Sequence, residues 1–293
     1  MLEIGKTHSL VVLKHVDFGV YLGQNIDDLC QEEILLPERY LPEDTAAWEV
    51  GEALTIFLYL DSEDRPIATT VIPAAEVGQC AYLPVVEKSE FGSFLDWGLM
   101  KDLLVPFKEQ RVPMDVGRSY VVYLYLDVTG RIAASSLLSR HLNEQNEGDF
   151  TAQQEVELLI ASRSDLGYKA VINGSHIGLI HNNEITRPIK IGDRVKGYIG
   201  ALREDMRINL TLQKTGPGMH NEIRGELAEV IVAYLESNGG QSSLTDKSSP
   251  EDINAAFHVS KSNYKKAIGK LYKSRSITLE GGMIKLKKST KQI

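Results

Sequence analysis

Apolar and polar positions alternate with a period of two over the first two thirds of the chain and with a period near 3.6 over the last part. Leu10-Val11-Val12-Leu13, Val20-Tyr21-Leu22, Leu54 to Leu60 and Ile67 to Val71 are short, β-branched or aromatic runs set apart by polar turns, a pattern that predicts strands. Asp61-Ser62-Glu63-Asp64 and Thr129-Gly130 stand where hairpins would turn. After Pro217 the pattern changes: Ile223, Leu227, Val230, Ile231 and Tyr234 form one helical stripe that stops at Asn238-Gly239-Gly240. Ser249 ahead of Pro250-Glu251-Asp252 predicts an N-cap and a second helix burying Ile253, Ala256 and Phe257. Ser260 is the expected cap of a third, with Tyr264, Ala267, Ile268, Leu271 and Tyr272 on its buried face. Ile277-Thr278-Leu279, Gly281-Gly282 and Ile284 to Lys287 predict a closing hairpin. Three helices and a hairpin describe a winged helix-turn-helix.

The β part repeats. Gly92 precedes Pro106 by 14 residues and Pro106 precedes Gly117 by 11; Gly167, His181 and Gly192 keep the same spacings. Gly19, Pro37 and Gly51, spaced 18 and 14, fit that frame with short loop insertions. Ten residues beyond Gly51 and Gly117 stand Asp61 and Asp127, each closing a matching run, Phe57 to Asp61 and Tyr123 to Asp127. Each repeat centres on a glycine inside a strand, where a bend or a close backbone approach is expected, and the fullest copy is Phe91 to Phe107, FGSFLDWGLMKDLLVPF. Units of this size with about five strands suit small Greek-key OB barrels. The expected fold is therefore mainly β with a C-terminal α/β module: three tandem five-stranded OB-type barrels at residues 1–72, 73–142 and 150–214, then a winged helix at 219–288. Boundaries are expected at Ile72-Pro73-Ala74-Ala75, across the polar run His141 to Phe150, and at Lys214 to Gly218.

Charge sharpens the functional picture. The net charge is −8, but residues 1–150 hold 11 Lys and Arg against 25 Asp and Glu, while residues 151–293 hold 21 against 15. From Ser260 onward there are ten basic residues and one acid, Glu280, so a polyanion is expected to be drawn to the C-terminal part. Cys30 and Cys80 are the only cysteines and form no CxxC pair, which indicates neither a disulfide framework nor a zinc site. No apolar run approaches a membrane span, and the start, MLEIGKTHSL, lacks a signal segment; a reducing cytoplasm is the expected setting.

The candidate chemistry is binding. Phe18 and Tyr21, then Phe91, Phe94 and Trp97, are rings that barrels can offer to unpaired bases, since stacking tolerates any sequence. The third unit keeps its glycine but has Leu166 and Lys169 where the others have rings, with Tyr168 shifted by one and His181 at the barrel rim. On the third helix Lys266, Lys270 and Lys273 fall opposite the apolar stripe beside Ser262, and Lys285 and Lys287 lie on the wing. Lysines make phosphate contacts, which predicts affinity with weak sequence choice. Carboxylate pairs such as Asp27-Asp28 read as solvated turns, no metal or cofactor is expected, and the common nucleotide-binding and hydrolase motifs are absent.

The glycine-bracketing aromatics and the segment GLIHNNEI (Gly178 to Ile185) resemble the S-one RNA-binding domain, an OB barrel. FGSFLDWGLMKDLLVP (Phe91 to Pro106), ALREDMRINLTLQ (Ala201 to Gln213) and the terminal winged helix in combination make the chain similar to the CvfB/YitL family, the conserved virulence factor B proteins of bacteria. The resemblance implies tandem S-one-type barrels, RNA binding, a regulatory role and no catalytic activity. It places the nucleic-acid face at Phe18 and Tyr21, at Phe91 and Phe94, and at His181. The expected function is a non-enzymatic regulator that binds single-stranded RNA. The alternatives are a DNA-binding transcription factor using the winged helix and an adaptor whose acidic barrels bind protein.

Overall fold

The computed structural model describes residues 2–28, 31–41, 48–185, 188–200, 204–214, 219–257, 259 and 261–287, with the side chains of the first helix described from residue 227. The chain divides after Leu142 into two compact units.

In the first unit, β1 (Thr7–Val16), β2 (Gly19–Gly23), β3 (Ile34–Pro37), β4 (Ala53–Leu60) and β5 (Pro66–Thr69) close a barrel in the order β1-β2-β3-β5-β4. All pairings are antiparallel except the parallel pair β3–β5. The second set, β6 (Cys80–Lys88), β7 (Gly92–Leu95), β8 (Leu103–Pro106), β9 (Ser119–Leu126) and β10 (Ile132–Ser135), keeps the order as β10-β9-β6-β7-β8, without a ladder joining its two end strands. Those ends are neighbours, and side-chain and turn bonds hold the seam. Ser136 N donates to Glu109 O at 2.9 Å, and the Arg140 guanidinium lies 3.2 Å from the Glu109 carboxylate. In the second unit, β11 (Glu155–Ser164), β12 (Gly167–Ile172), β13 (His176–His181), β14 (Arg194–Ile199) and β15 (Ile208–Thr211) close a barrel in the first one's order.

The sequence landmarks are equivalent points of these sheets. Gly19 pairs with Pro37, Gly92 with Pro106 and Gly167 with His181. Each first strand carries a bulge at the same place, between Val12 and Lys14, Val85 and Glu87, and Ile160 and Ser162. Gly51, Gly117 and Gly192 each donate their N–H to the carbonyl just before that bulge, on Val12, Val85 and Ile160, at 2.8–2.9 Å.

Period-two alternation fills the barrels, as in β3, where Ile34 and Leu36 are buried and Leu35 is not. It breaks in β4, where Ile56, Phe57, Leu58 and Tyr59 are all buried. Ile56 and Leu58 fill the first barrel, whereas Phe57 and Tyr59 join the core of the second. The Phe57 ring meets Trp97 edge-on at 5.7 Å, and the Trp97 indole N–H donates to Lys101 O at 2.7 Å. Lys101 in turn reaches Asp61 O at 2.8 Å, and Arg131 pairs with Asp64. The first two barrels thus share one apolar interface and its polar border.

The winged helix contains α1 (Met219–Ser237), β16 (Gln241–Ser242), α2 (Pro250–Phe257), α3 (Lys261–Lys273), β17 (Ile277–Glu280) and β18 (Met283–Leu286). Ser249 caps α2: its Oγ accepts from Asp252 N at 3.0 Å and donates to the Asp252 carboxylate at 2.8 Å. Ala228, Ile231, Leu235, Ile253, Phe257, Tyr264, Ala267, Ile268 and Leu271 form the core with Ile277 and Ile284. Burial, and after it the neighbouring Tyr234, pushes the Tyr264 hydroxyl up to about 12; that hydroxyl donates to Leu244 O at 2.9 Å. Two stripe residues are corrected, since Val230 and Tyr272 are more than half exposed. A helix covers only the arc its neighbours reach, and both lie at the edge of that arc. The side chain of Ile223 and the expected cap Ser260 lie outside the described residues.

Candidate nucleic-acid interface

Each barrel builds the same local structure where the chain enters its second strand. A Cβ on Gly19 would lie 2.2 Å from Leu36 O, on Gly92 2.2 Å from Val105 O and on Gly167 2.0 Å from Ile180 O. Only glycine allows that approach. The preceding carbonyl then closes the turn, Phe18 O accepting from Glu38 N at 2.9 Å, Phe91 O from Phe107 N at 3.4 Å and Leu166 O from Asn182 N at 3.0 Å. This leaves the side chain before the glycine outside: Phe18 is 55 %, Phe91 66 % and Leu166 64 % exposed.

Two residues past each glycine lies a second outward position, held by Tyr21, Phe94 and Lys169. Across the bulge it pairs with Lys14, Glu87 and Ser162, and on the other side with Leu35, Leu104 and Leu179. The three faces share a scaffold and differ in charge. In the first, Phe18 meets Tyr21 edge-on at 6.5 Å, and the Lys14 ammonium sits 4.9 Å from the Tyr21 ring while pairing with Glu33 at 2.6 Å. In the second, Phe94 lies beside Glu87; burial, followed by the charges of Asp96 and Glu87, pushes the nearby Asp102 carboxyl up. In the third, Lys169 replaces the ring and lies 3.4 Å from Glu144, and the His181 Nε2 faces Asn209 Oδ1 at 3.2 Å.

The expected residues thus fall into groups. Phe18, Tyr21, Phe91, Phe94, Lys169 and His181 occupy corresponding outward faces of their own barrels. Trp97 does not: it is 3 % exposed, packed against Phe57 and bonded through its indole nitrogen, so it belongs to the core. Tyr168, one residue nearer its glycine, takes the inward register and packs against the third barrel's core, with the Arg163 guanidinium 5.8 Å from its ring. On the winged helix Ser262, Lys266, Lys270 and Lys273 are exposed, as are Lys285 and Lys287 on the wing. Ile284 beside Lys285 is buried, which fixes the outward direction of the lysine.

Sequence reasoning missed Lys14, Glu87, Arg163 and Phe107, the last 54 % exposed beside Phe91. A signal existed: Lys14, Glu87 and Ser162 each stand seven residues before the second outward position. Among the described residues no group of three or more His, Cys, Asp and Glu side chains is placed to hold a metal ion, and no helix is long and apolar enough to cross a membrane.

Comparison with known proteins agrees with these modules. Residues 4–71 and 77–137 match the S1 domain family, and residues 229–286 match the CvfB-like winged helix domain. The protein YitL of Bacillus subtilis, described as uncharacterized, is 28% identical over 95% of this chain and 92% of its own. Conserved virulence factor B of Staphylococcus aureus is 27% identical over 82% of this chain and 81% of its own, and that of Staphylococcus epidermidis 25% over 82% of each. These matches are consistent with the CvfB/YitL family, which the chain resembles over most of its length. A crystal structure from Streptococcus pneumoniae, described as a multidomain protein with nucleic acid binding domains, covers 97% of this chain and 98% of its own at 23% identity, with a TM-score of 0.39. The S1 and winged-helix modules support nucleic-acid binding.

Proposed function

We propose that this chain is a non-enzymatic cytoplasmic regulator that binds single-stranded RNA. The carrying observation is the repeated outward pair, Phe18 with Tyr21 and Phe91 with Phe94, each on a strand that a glycine ties to its neighbour's backbone. Rings fixed in this way stack on unpaired bases at ~1–3 kcal/mol per base, whereas bases within a duplex present no free face. Lys169 and the lysines of α3 and β18 supply the charge that phosphates require. Tyr168 contributes by holding Arg163 at the rim of the third barrel, and His181 through a polar ring edge.

The test is a titration of the full chain and of the double variant Phe18→Ala/Phe91→Ala against a fluorescent single-stranded oligoribonucleotide and its duplex. The wild type is expected to favour the single strand, and the variant to lose about tenfold or more on the single strand alone. Equal affinity of the wild type for both forms would count against the reading. A second reading, duplex DNA binding through α3, is favoured by the exposed row Ser262, Lys266, Lys270 and Lys273. It requires that Lys266→Ala/Lys273→Ala abolish duplex binding while the phenylalanine variant leaves it intact.

A further inference from the structure

The β1–β2 hairpin also lines a pocket of about 150 Å³. Asp17, Glu38 and His15 are its polar lining residues, and Val16, Leu41 and Trp48 its apolar ones; Phe18 takes no part in the lining. The His15 Nε2–H donates to Trp48 O at 2.8 Å and so ties the indole-bearing segment to β1. Residues 1–72 contain 14 Asp and Glu against 4 Lys and Arg. All four cations are engaged elsewhere: Lys6 with Glu76, Lys14 with Glu33, Arg65 with Asp61, and Arg39 over the Tyr40 ring at 4.9 Å. Among the described residues neither Asp17 nor Glu38 has a salt bridge.

We propose that this pocket receives an arginine side chain of a partner protein, which makes the first barrel a protein-docking module as well as a base-stacking one. Three physical arguments select this occupant. Size comes first: about 150 Å³ is half the lower end of the ~300–1,000 Å³ typical of small-molecule sites, and fits one long side chain rather than a nucleotide. Charge is second, because two unpaired carboxylates on a barrel this acidic repel phosphate and attract a cation. Shape is third. A guanidinium can bond carboxylates through its planar fork while its flat face and methylenes lie against an indole, a combination that an ammonium does not match. The equivalent turns of the other barrels lack this chemistry. Phe107 and Asn182 stand where Glu38 does, and Lys88 and Arg163 stand where His15 does.

The experiment uses the full ¹⁵N-labelled chain and a blocked Gly-Arg-Gly peptide, with the neutral citrulline peptide as its isostere. The two tryptophans make the readout internally controlled: both are largely buried, but Trp48 borders the pocket whereas Trp97 packs in the second barrel's core against Phe57. The arginine peptide is expected to shift the Trp48 indole and Gly19 amide signals saturably, and to leave Trp97 unmoved. The double variant Asp17→Asn/Glu38→Gln, at two exposed positions, is expected to keep the wild-type spectrum elsewhere and to weaken the peptide at least about tenfold. Equal binding of the citrulline peptide, or unchanged binding by the variant, overturns the proposal. So does a single-stranded oligoribonucleotide that moves Trp48 where the arginine peptide does not. RNA binding through the rings stands or falls separately, on the phenylalanine variants.

Discussion

Phe91 and Trp97 are six residues apart in one aromatic-rich stretch, yet they do opposite work. Phe91 sits before a glycine, outside the barrel, and touches little; Trp97 is sealed between two barrels. Trp97→Ala is expected to cost about 3–5 kcal/mol in chemical denaturation with RNA affinity of the folded protein unchanged, whereas Phe91→Ala should move stability by less than about 0.5 kcal/mol and act on RNA. Gly92→Ala should destabilise by about 1–3 kcal/mol, because the new methyl has only backbone to push against. His141 carries a pH prediction. It is stacked between Tyr123 at 4.7 Å and Tyr125 at 5.1 Å, its Nε2 is buried without a hydrogen-bond partner, and burial holds its pKa below the ordinary 6.5. The unfolded chain therefore takes up a proton that the folded one refuses. Stability should fall as the pH drops below about 6.5, and His141→Phe should flatten that slope in thermal melts recorded from pH 7.5 to 5.5. Sequence spacing located the glycines, but it did not separate Phe91 from Trp97. Period-two counting assumes one buried face, and the second barrel buries the other.

At the scale of elements, the strands and helices were legible because local patterns and packing agree. The Ser249 cap, the Gly281-Gly282 turn and, apart from Tyr272, the apolar side of α3 stand as read. The missed parts depend on register. The bulge in each first strand shifts the next outward residue by one, which brings Lys14, Glu87 and Ser162 beside the ring position. Tyr168 was read as an outward ring displaced by one, and one residue is enough to turn it inward. β16 was invisible, since two residues carry no periodicity. The exposed face of α3 and the wing makes its own prediction. Lys266→Ala/Lys273→Ala/Lys285→Ala should reduce the slope of log K against log salt by about 2 for a single strand, at ~0.7 per lost phosphate contact, with the melting temperature unchanged. An undiminished slope would remove the winged helix from the RNA path.

At the scale of the whole molecule, the first two barrels share a core through Phe57, Tyr59 and Trp97 and are expected to unfold in one transition. Phe57→Ala should lower the stability of both together, as read by hydrogen exchange in β2 and β7. The strong acidity of residues 1–150 remains a cost for any polyanion, so in the proposed function attraction falls to the C-terminal lysines and stacking to the rings. The most direct test of that division is the affinity of the full chain for a single-stranded oligoribonucleotide and for the matching duplex across a salt series. With Lys169, Lys266, Lys270, Lys273, Lys285 and Lys287 all on phosphates, the single strand should bind more tightly at every salt concentration, with a slope of about −4. A flat salt response, or a duplex bound as well as the single strand, would contradict the account.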